Sequence, residues 1–480
     1  MSIPSITDAA LQLLRPECLD DAGLQVTNPA NGTLVAGIRR YDVAGLTEII
    51  ERAEAARHGW AARTAKERSD VLRVWYDLIR EQSEALARLM TLESGKPLDE
   101  ARGEVKYGAA FIEWFSEEAR RAYGEVIPPH AAGKRIVTLR QPVGTCAAIT
   151  PWNFPLAMIT RKAGPALAAG CSIIVKPAEL TPLSALALET LAHQAGIPAD
   201  LFRVAPALRS SDAGDLFCTH PAVRKISFTG STAVGKVIMA KAAGQVKRLS
   251  LELGGNAPFI VFDDADLDKA IDGAMASRFR NAGQTCVCAN RFLVQDGIHD
   301  VFVARLAERV AGLRLGDGLA NPAGMGPLIS EREAGRVADL VRAAEGEGAT
   351  KAGPSVTVPD RGAFHAPIVL EGVTTAMAIA HEEIFGPVAP VIRFHDEAEA
   401  LRIANDTPYG LASYVYTADA ARQWRFMEAL EYGMVGVNDG LISTEVAPFG
   451  GIKESGFGRE GSSHGLADYM NIKYCLIGGM

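Results

Sequence analysis

Cys286 sits in the segment Phe279-Arg-Asn-Ala-Gly-Gln-Thr-Cys-Val-Cys288, just past a glycine placed to end the preceding helix. A thiol on such a loop can be reached by a small electrophile and activated as a thiolate, which would make it a covalent nucleophile. A buried inert cysteine fits the same local pattern. Its company turns the balance. Leu251-Glu-Leu-Gly-Gly-Asn256 holds one carboxylate between two leucines at the mouth of a glycine turn. Desolvation there would raise the pKa of Glu252 and suit it to general-base work near neutral pH; the competing reading is a solvent-facing residue of a half-buried strand. Thr150-Pro-Trp-Asn-Phe-Pro155 presents the amide of Asn153, which can donate to a developing oxyanion or can simply be part of a turn.

Two further segments suit a phosphate-bearing ligand. Ile173-Ile-Val-Lys-Pro-Ala-Glu179 ends a strand with Lys176 and then Glu179, where an open α/β sheet binds its ligand; a carboxylate there can accept both hydroxyls of a ribose. Ile226-Ser-Phe-Thr-Gly-Ser-Thr-Ala-Val-Gly-Lys236 reads as a strand, a turn at Gly230 and Ser231, and a helix start whose free N–H groups favour phosphate. The run from Gly230 to Lys236 nearly matches a P-loop, but Val237 stands where Ser or Thr must ligate magnesium, which argues against an NTPase. Neither of these two segments carries a G-x-G-x-x-G fingerprint. Motif matching alone leaves the cofactor open.

The elements that must hold these residues follow from periodicity. The first part is helical: Asp42 to Trp60, Thr64 to Ser94 opened by the capping box Thr64-x-x-Glu67, and a third segment to about Tyr123. Lys134 to Arg140 alternates polar and apolar residues, an exposed strand able to pair with something else. From Val143 to Gly254, short Val- and Ile-rich runs (Cys146 to Thr150, Cys171 to Val175, Lys225 to Phe228) alternate with Ala-rich helices, the pattern of a covered parallel sheet. A second α/β stretch runs from Ala257 to about Phe449, with strands at Pro258 to Phe262 and Arg291 to Val294. The fold class is therefore α/β.

At 480 residues the chain needs two or three domains. Its 49 basic and 57 acidic residues are interspersed, without the basic stripe that nucleic acid requires. The uncharged end, Met1 to Thr7, resembles no signal or transit peptide, and the uncharged stretch Gln141 to Thr160 is broken by Pro142, Pro151 and Pro155, so a cytoplasmic protein without a membrane span is expected. Seven cysteines without a C-x-x-C pair predict free thiols and no structural metal.

Taken together, the segments resemble the aldehyde dehydrogenase superfamily from about Val26 to Lys473, and within it the succinate-semialdehyde dehydrogenases. The resemblance rests on Thr150-Pro-Trp-Asn-Phe-Pro155, Phe228-Thr-Gly-Ser231, Leu251-Glu-Leu-Gly-Gly-Asn256, Gly283-Gln-Thr-Cys286, Glu382-Glu-Ile-Phe-Gly-Pro387 and Pro448-Phe-Gly-Gly-Ile-Lys-Glu-Ser-Gly456. It implies Cys286 as nucleophile, Glu252 as base for the attacking water, and the Asn153 side chain with the Cys286 N–H as oxyanion donors. It also implies Lys176 and Glu179 on the adenosine ribose, Trp152, Gly230 and Ser231 at the phosphates, and Glu383 with Phe385 at the nicotinamide. Glu179 would repel a 2′-phosphate, which favours NAD while leaving NADP open. Arg161, Arg280 and Ser443 match positions that bind a distal carboxylate, unless the arginines are structural ion-pair residues. Cys288 matches a partner that can form a disulfide with the nucleophile. Ala207 departs from the glycine usual beside the adenine.

The implied architecture is an aldehyde dehydrogenase-like fold: a Rossmann-like NAD(P)-binding domain (1–123 and 143–254), an α/β catalytic domain (255–457), and a small β oligomerisation element (124–142 and 458–480) supporting a homodimer or homotetramer. The implied reaction is oxidation of succinic semialdehyde. Rival readings are glutarate semialdehyde as substrate, a broader aldehyde specificity, and a non-catalytic crystallin-like protein.

Overall fold

The computed structural model describes residues 9–319 and 324–479. The sequence reading of Met1 to Thr7 lies outside the described residues. Two largely parallel sheets organise the chain. The six-stranded one runs in the order Gly456–Phe457, Arg248–Glu252, Val223–Thr229, Thr145–Ile149, Ser172–Lys176, Phe202–Val204, with only the first pair antiparallel. Its interior strands are buried on both faces, as expected of parallel strands covered by helices. The seven-stranded one runs Thr350–Ala352, Ile368–Glu371, Val388–Phe394, Ala289–Gln295, Ala257–Val261, Ala412–Tyr416, Met434–Val437, again antiparallel only at its first pair. The short strand at Gly456 thus returns to the first sheet after the second is built.

The strand expected around Lys134 to Arg140 spans Lys134–Pro142 and finds its partners within the chain: Met470–Gly478 on one side and Val126–Ile127 on the other. The outer strand leaves Ile472, Tyr474, Leu476 and Ile477 exposed, an apolar row on a free edge.

In the helical part, Asp42 caps Val43–Ala61, and Thr64 and Glu67 form the anticipated capping box on Ala65–Glu81. The stretch read as one helix to Ser94 is two, Ala65–Glu81 and Ser83–Ser94. Gln82 leaves the helical region (φ −91°, ψ 16°), although nothing in its residue type marks a break. Leu98–Glu118 follows and packs on Ala157–Ala169, where Gly108 admits Leu156: a Cβ there would stand 2.3 Å from the leucine Cδ2.

Candidate active site

The helix before the nucleophile, Leu267–Arg278, ends earlier than its glycine suggested. Between it and Gly283, Asn281 (φ 52°) and Ala282 (φ 53°) adopt the left-handed conformation, which costs of order 1–3 kcal/mol per non-glycine residue and needs outside support. Support comes from Glu100, whose Oε2 accepts the Asn281 N–H at 2.8 Å, and from Gln284, whose Nε2 donates to the Asn281 carbonyl at 3.0 Å. Gly283 is itself left-handed, and a Cβ there would meet the Gly386 carbonyl oxygen at 2.3 Å. The turn delivers Cys286 half-buried at the junction of two cavities, with Cys288 buried behind it and both thiols free. Burial, with Glu383 adding to it against the pull of Arg161, pushes the Cys286 thiol up to about 12.

Glu252 closes the strand Arg248–Glu252, only 4% exposed, with neither carboxylate oxygen hydrogen-bonded. The solvent-facing alternative is therefore wrong. Desolvation, reinforced by Glu460, holds its pKa well above the ordinary value. A carboxylate left uncommitted in this way is, once ionised, the stronger base for its raised pKa. Beneath it lies a buried charge cluster. Lys162 donates to Thr229 Oγ1 at 2.6 Å and pairs with Glu460, whose other oxygen is 2.7 Å from Arg161 Nε. Burial would raise the Glu460 pKa, but the two cations outweigh it and keep the carboxylate ionised.

The Asn153 side chain donates to the Gln284 carbonyl at 3.0 Å, while its Oδ1 is buried without a partner. Trp152, Asn153, Gly230, Ser231, Glu383 and Phe385 line one cleft of about 300 Å³ that reaches Cys286. Trp152 and Phe385 meet edge-to-face at 5.5 Å, and Glu383 accepts the Gly255 N–H at 3.1 Å. Burial raises the Glu383 pKa to about 7. Lys176 and Glu179 form an ion pair at 2.6 Å at the end of their strand, outside that cavity but tied to it by Thr181, which donates to the Trp152 carbonyl. Burial works against the Glu179 charge, yet Lys176 and Ser210 bring its pKa below the usual value. Ser231 lines the cleft and caps Thr232–Ala242, which sets that helix's N-terminus at the cleft wall. A cleft with a helix start at one end and a half-exposed carboxylate beyond it fits a dinucleotide.

Glu333 and Arg336 also line the cleft, and sequence reasoning missed them. They lie on Glu331–Gly346, paired to each other at 2.9 Å, with Arg336 donating to the Ile384 carbonyl at 2.6 Å. In sequence they look like an ordinary solvated helix face.

From the opposite side, Tyr107, Phe154, Arg161, Arg280 and Ser443 line a narrow cavity ending at Cys286. Tyr107, Phe154, Arg280 and Ser443 also line an outer cavity of about 270 Å³ with Lys96 and Glu100. The three residues matched to carboxylate binding therefore share one wall system with the nucleophile, and Tyr107 joins them. Arg161 is largely committed to Glu460 and to the Phe449 ring, 3.9 Å from its guanidinium, so the ion-pair reading holds for it in part. Arg280 keeps a buried Nε without a hydrogen-bond partner, as Arg161 does at Nε and Nη2, and its guanidinium lies 5.5 Å over the Phe154 ring. Among the described residues no group of three or more potential ligands surrounds a metal position, and no helix is long and apolar enough to cross a membrane.

The profile of the aldehyde dehydrogenase family matches residues 18–475. The chain is 52% identical to a succinate-semialdehyde dehydrogenase [NADP(+)] of Escherichia coli (strain K12), covering 97% of each. It is 54% identical to a glutarate-semialdehyde dehydrogenase of Pseudomonas putida KT2440, covering 95% of this chain and 94% of that one. Among solved structures, a succinate-semialdehyde dehydrogenase from Burkholderia pseudomallei superposes with a TM-score of 0.96 at 50% identity, over 99% of this chain and all of the other. With these likenesses running nearly end to end over both sheets and the cavity junction at Cys286, the chain belongs to the aldehyde dehydrogenase family.

Proposed function

We propose that the protein oxidises an ω-carboxylated aldehyde, succinic semialdehyde first, to the dicarboxylate with a nicotinamide dinucleotide as hydride acceptor. The observation that carries the substrate class is the convergence of Arg161, Arg280 and Ser443 on the cavity that ends at Cys286. One methylene is worth only about 0.8 kcal/mol, so the glutarate analogue is the second reading, supported by the likeness to the Pseudomonas putida enzyme.

In this reading Cys286 Sγ, as thiolate, adds to the aldehyde carbon, and the oxygen takes the negative charge beside Asn153 Nδ2 and the Cys286 N–H. Trp152, Gly230, Ser231, Glu383 and Phe385, with Lys176 and Glu179 toward the ribose, would hold the dinucleotide, which would supply a two-electron acceptor. With that acceptor in place, the adduct on Cys286 would give up its hydride and become a thioester. Glu252 takes a proton from water, the hydroxide oxygen bonds to the acyl carbon, the C–S bond breaks, and acid and Cys286 are released. Glu179 favours NAD over NADP.

We infer further that the first sheet with the N-terminal helices (1–123 and 143–254) is the dinucleotide domain and 255–457 the catalytic domain. The sheet of 124–142 and 458–480 would join copies of a cytoplasmic homo-oligomer through its free edge. The test of the substrate class is kcat/KM for succinic semialdehyde against butanal. A preference above about 10²-fold supports the carboxylate clamp, and equal values refute it.

A further inference from the structure

Lys96 is enclosed, its side chain 1% exposed, and has two partners. One is the carboxylate of Glu104, equally enclosed; the other is the backbone oxygen of Asn153, 2.9 Å from its Nζ. The remaining Glu104 oxygen accepts the N–H groups of Leu156 (3.0 Å) and Ala157 (3.2 Å), at the start of the helix Ala157–Ala169. A second donor, Asn281 Nδ2, reaches the same Asn153 oxygen at 3.0 Å, and the Lys96 ammonium stands 4.5 Å over the Phe154 ring. Residues 153–157 are thus hung from one buried ion pair.

Burying such a pair is seldom better for stability than filling the space with apolar side chains, because both ions lose their hydration. Here the cation does something an apolar residue cannot. It fixes the carbonyl of Asn153, whose residue lines the cleft that reaches Cys286, and its counter-ion fixes the next helix. We propose that Lys96, with Glu104 as its counter-charge, is a positioning residue for the oxyanion donor Asn153, so that it governs turnover of every aldehyde rather than recognition of the substrate's charge. The proposal rests on the reading of Asn153 as that donor.

The test is Lys96→Met/Glu104→Gln, which removes both charges at similar size and keeps an amide oxygen for the Leu156 and Ala157 N–H groups. The expected result is a fall in kcat of about 10- to 100-fold with succinic semialdehyde and butanal alike, since displacement of a catalytic group by ~1 Å costs up to about 10². KM should stay within about threefold. In an Asn153→Ala background the same double change should cost less than about twofold more, because the donor it places is gone. Lys96→Gln/Glu104→Gln, which also removes both charges and returns a neutral donor of shorter reach, should show the same sharing to a smaller extent if the first double variant folds poorly. Unchanged kcat in the folded double variant, or losses that multiply with Asn153→Ala, would overturn the proposal. Wild-type kcat in Asn153→Ala itself would remove the oxyanion assignment, and the role of Lys96 with it.

Discussion

Arg161 Nε lies 2.7 Å from Glu460 Oε2, and both side chains are almost completely enclosed. The N–H does not point along that line, so the contact is Coulombic rather than a directed hydrogen bond. Burial alone would lower the Arg161 pKa, yet Glu460 and its neighbours carry the net shift upward and leave the guanidinium firmly charged. Arg161 is thus held by a buried carboxylate, whereas Arg280 forms no ion pair among the described residues and rests its guanidinium 5.5 Å from the Phe154 ring.

The two arginines should separate in experiment. Arg280→Leu is expected to lower kcat/KM for succinic semialdehyde by about 10- to 150-fold, the worth of one charge-assisted hydrogen bond, with butanal within about threefold. Arg161→Leu should in addition destabilise the fold by roughly 3 kcal/mol, since it takes one of two cations from a buried carboxylate. Steady-state kinetics with both aldehydes and thermal denaturation make the comparison. Equal losses on butanal for Arg280→Leu would refute its part.

Glu252→Gln should still form the thioester but fail to hydrolyse it. The expected signature is a burst of NADH equal to the number of sites, followed by a steady rate reduced by about 10²–10⁴. Stopped-flow absorbance reads both phases. A proportional loss of the burst would place Glu252 before the acyl-enzyme instead.

Burial, first among its causes, pushes the Cys286 thiol up to about 12, so the protonated form prevails near neutral pH. Thiolate is the reactive form, and below its pKa the thiolate fraction grows tenfold per pH unit. Alkylation by iodoacetamide should therefore climb without a plateau from pH 7 to 10, whereas an ordinary thiol levels off above about 8.5. A plateau near pH 8 would show that the burial seen here does not persist in solution.

Glu179 is 41% exposed on its side chain and pairs with Lys176. Glu179→Ala should leave Lys176 free to meet a 2′-phosphate and improve the NADP to NAD ratio of kcat/KM by about tenfold or more. An unchanged ratio would mean that cofactor choice is made elsewhere.

Local chemistry made much of this site legible. Glu252 between two leucines and Cys286 past Gly283 announce themselves over a few residues, and so does the capping box of Thr64 and Glu67. Glu460 and Lys162 do not, because their meaning lies in a contact between positions 298 residues apart. Tyr107 reads as one more residue of an amphipathic helix until the fold sets it beside Arg280 and Ser443. The left-handed pair Asn281–Ala282 escaped for a related reason: Gly283 was the visible helix stop, while the true end depends on Glu100, in a distant helix, supporting a turn that Ala282 would not adopt alone.

That 298-residue reach also sets a timetable for a chain emerging from the ribosome. Arg161 and Lys162 are translated long before the carboxylate that neutralises them. Until Glu460 arrives, the helix Ala157–Ala169 carries two adjacent cations whose final place is dry, so it must stay hydrated and unsettled. The charge cluster beneath Glu252 is therefore among the last parts of the molecule to be finished, and a ribosome stalled before residue 460 would display a nearly complete chain whose buried cations are still unseated.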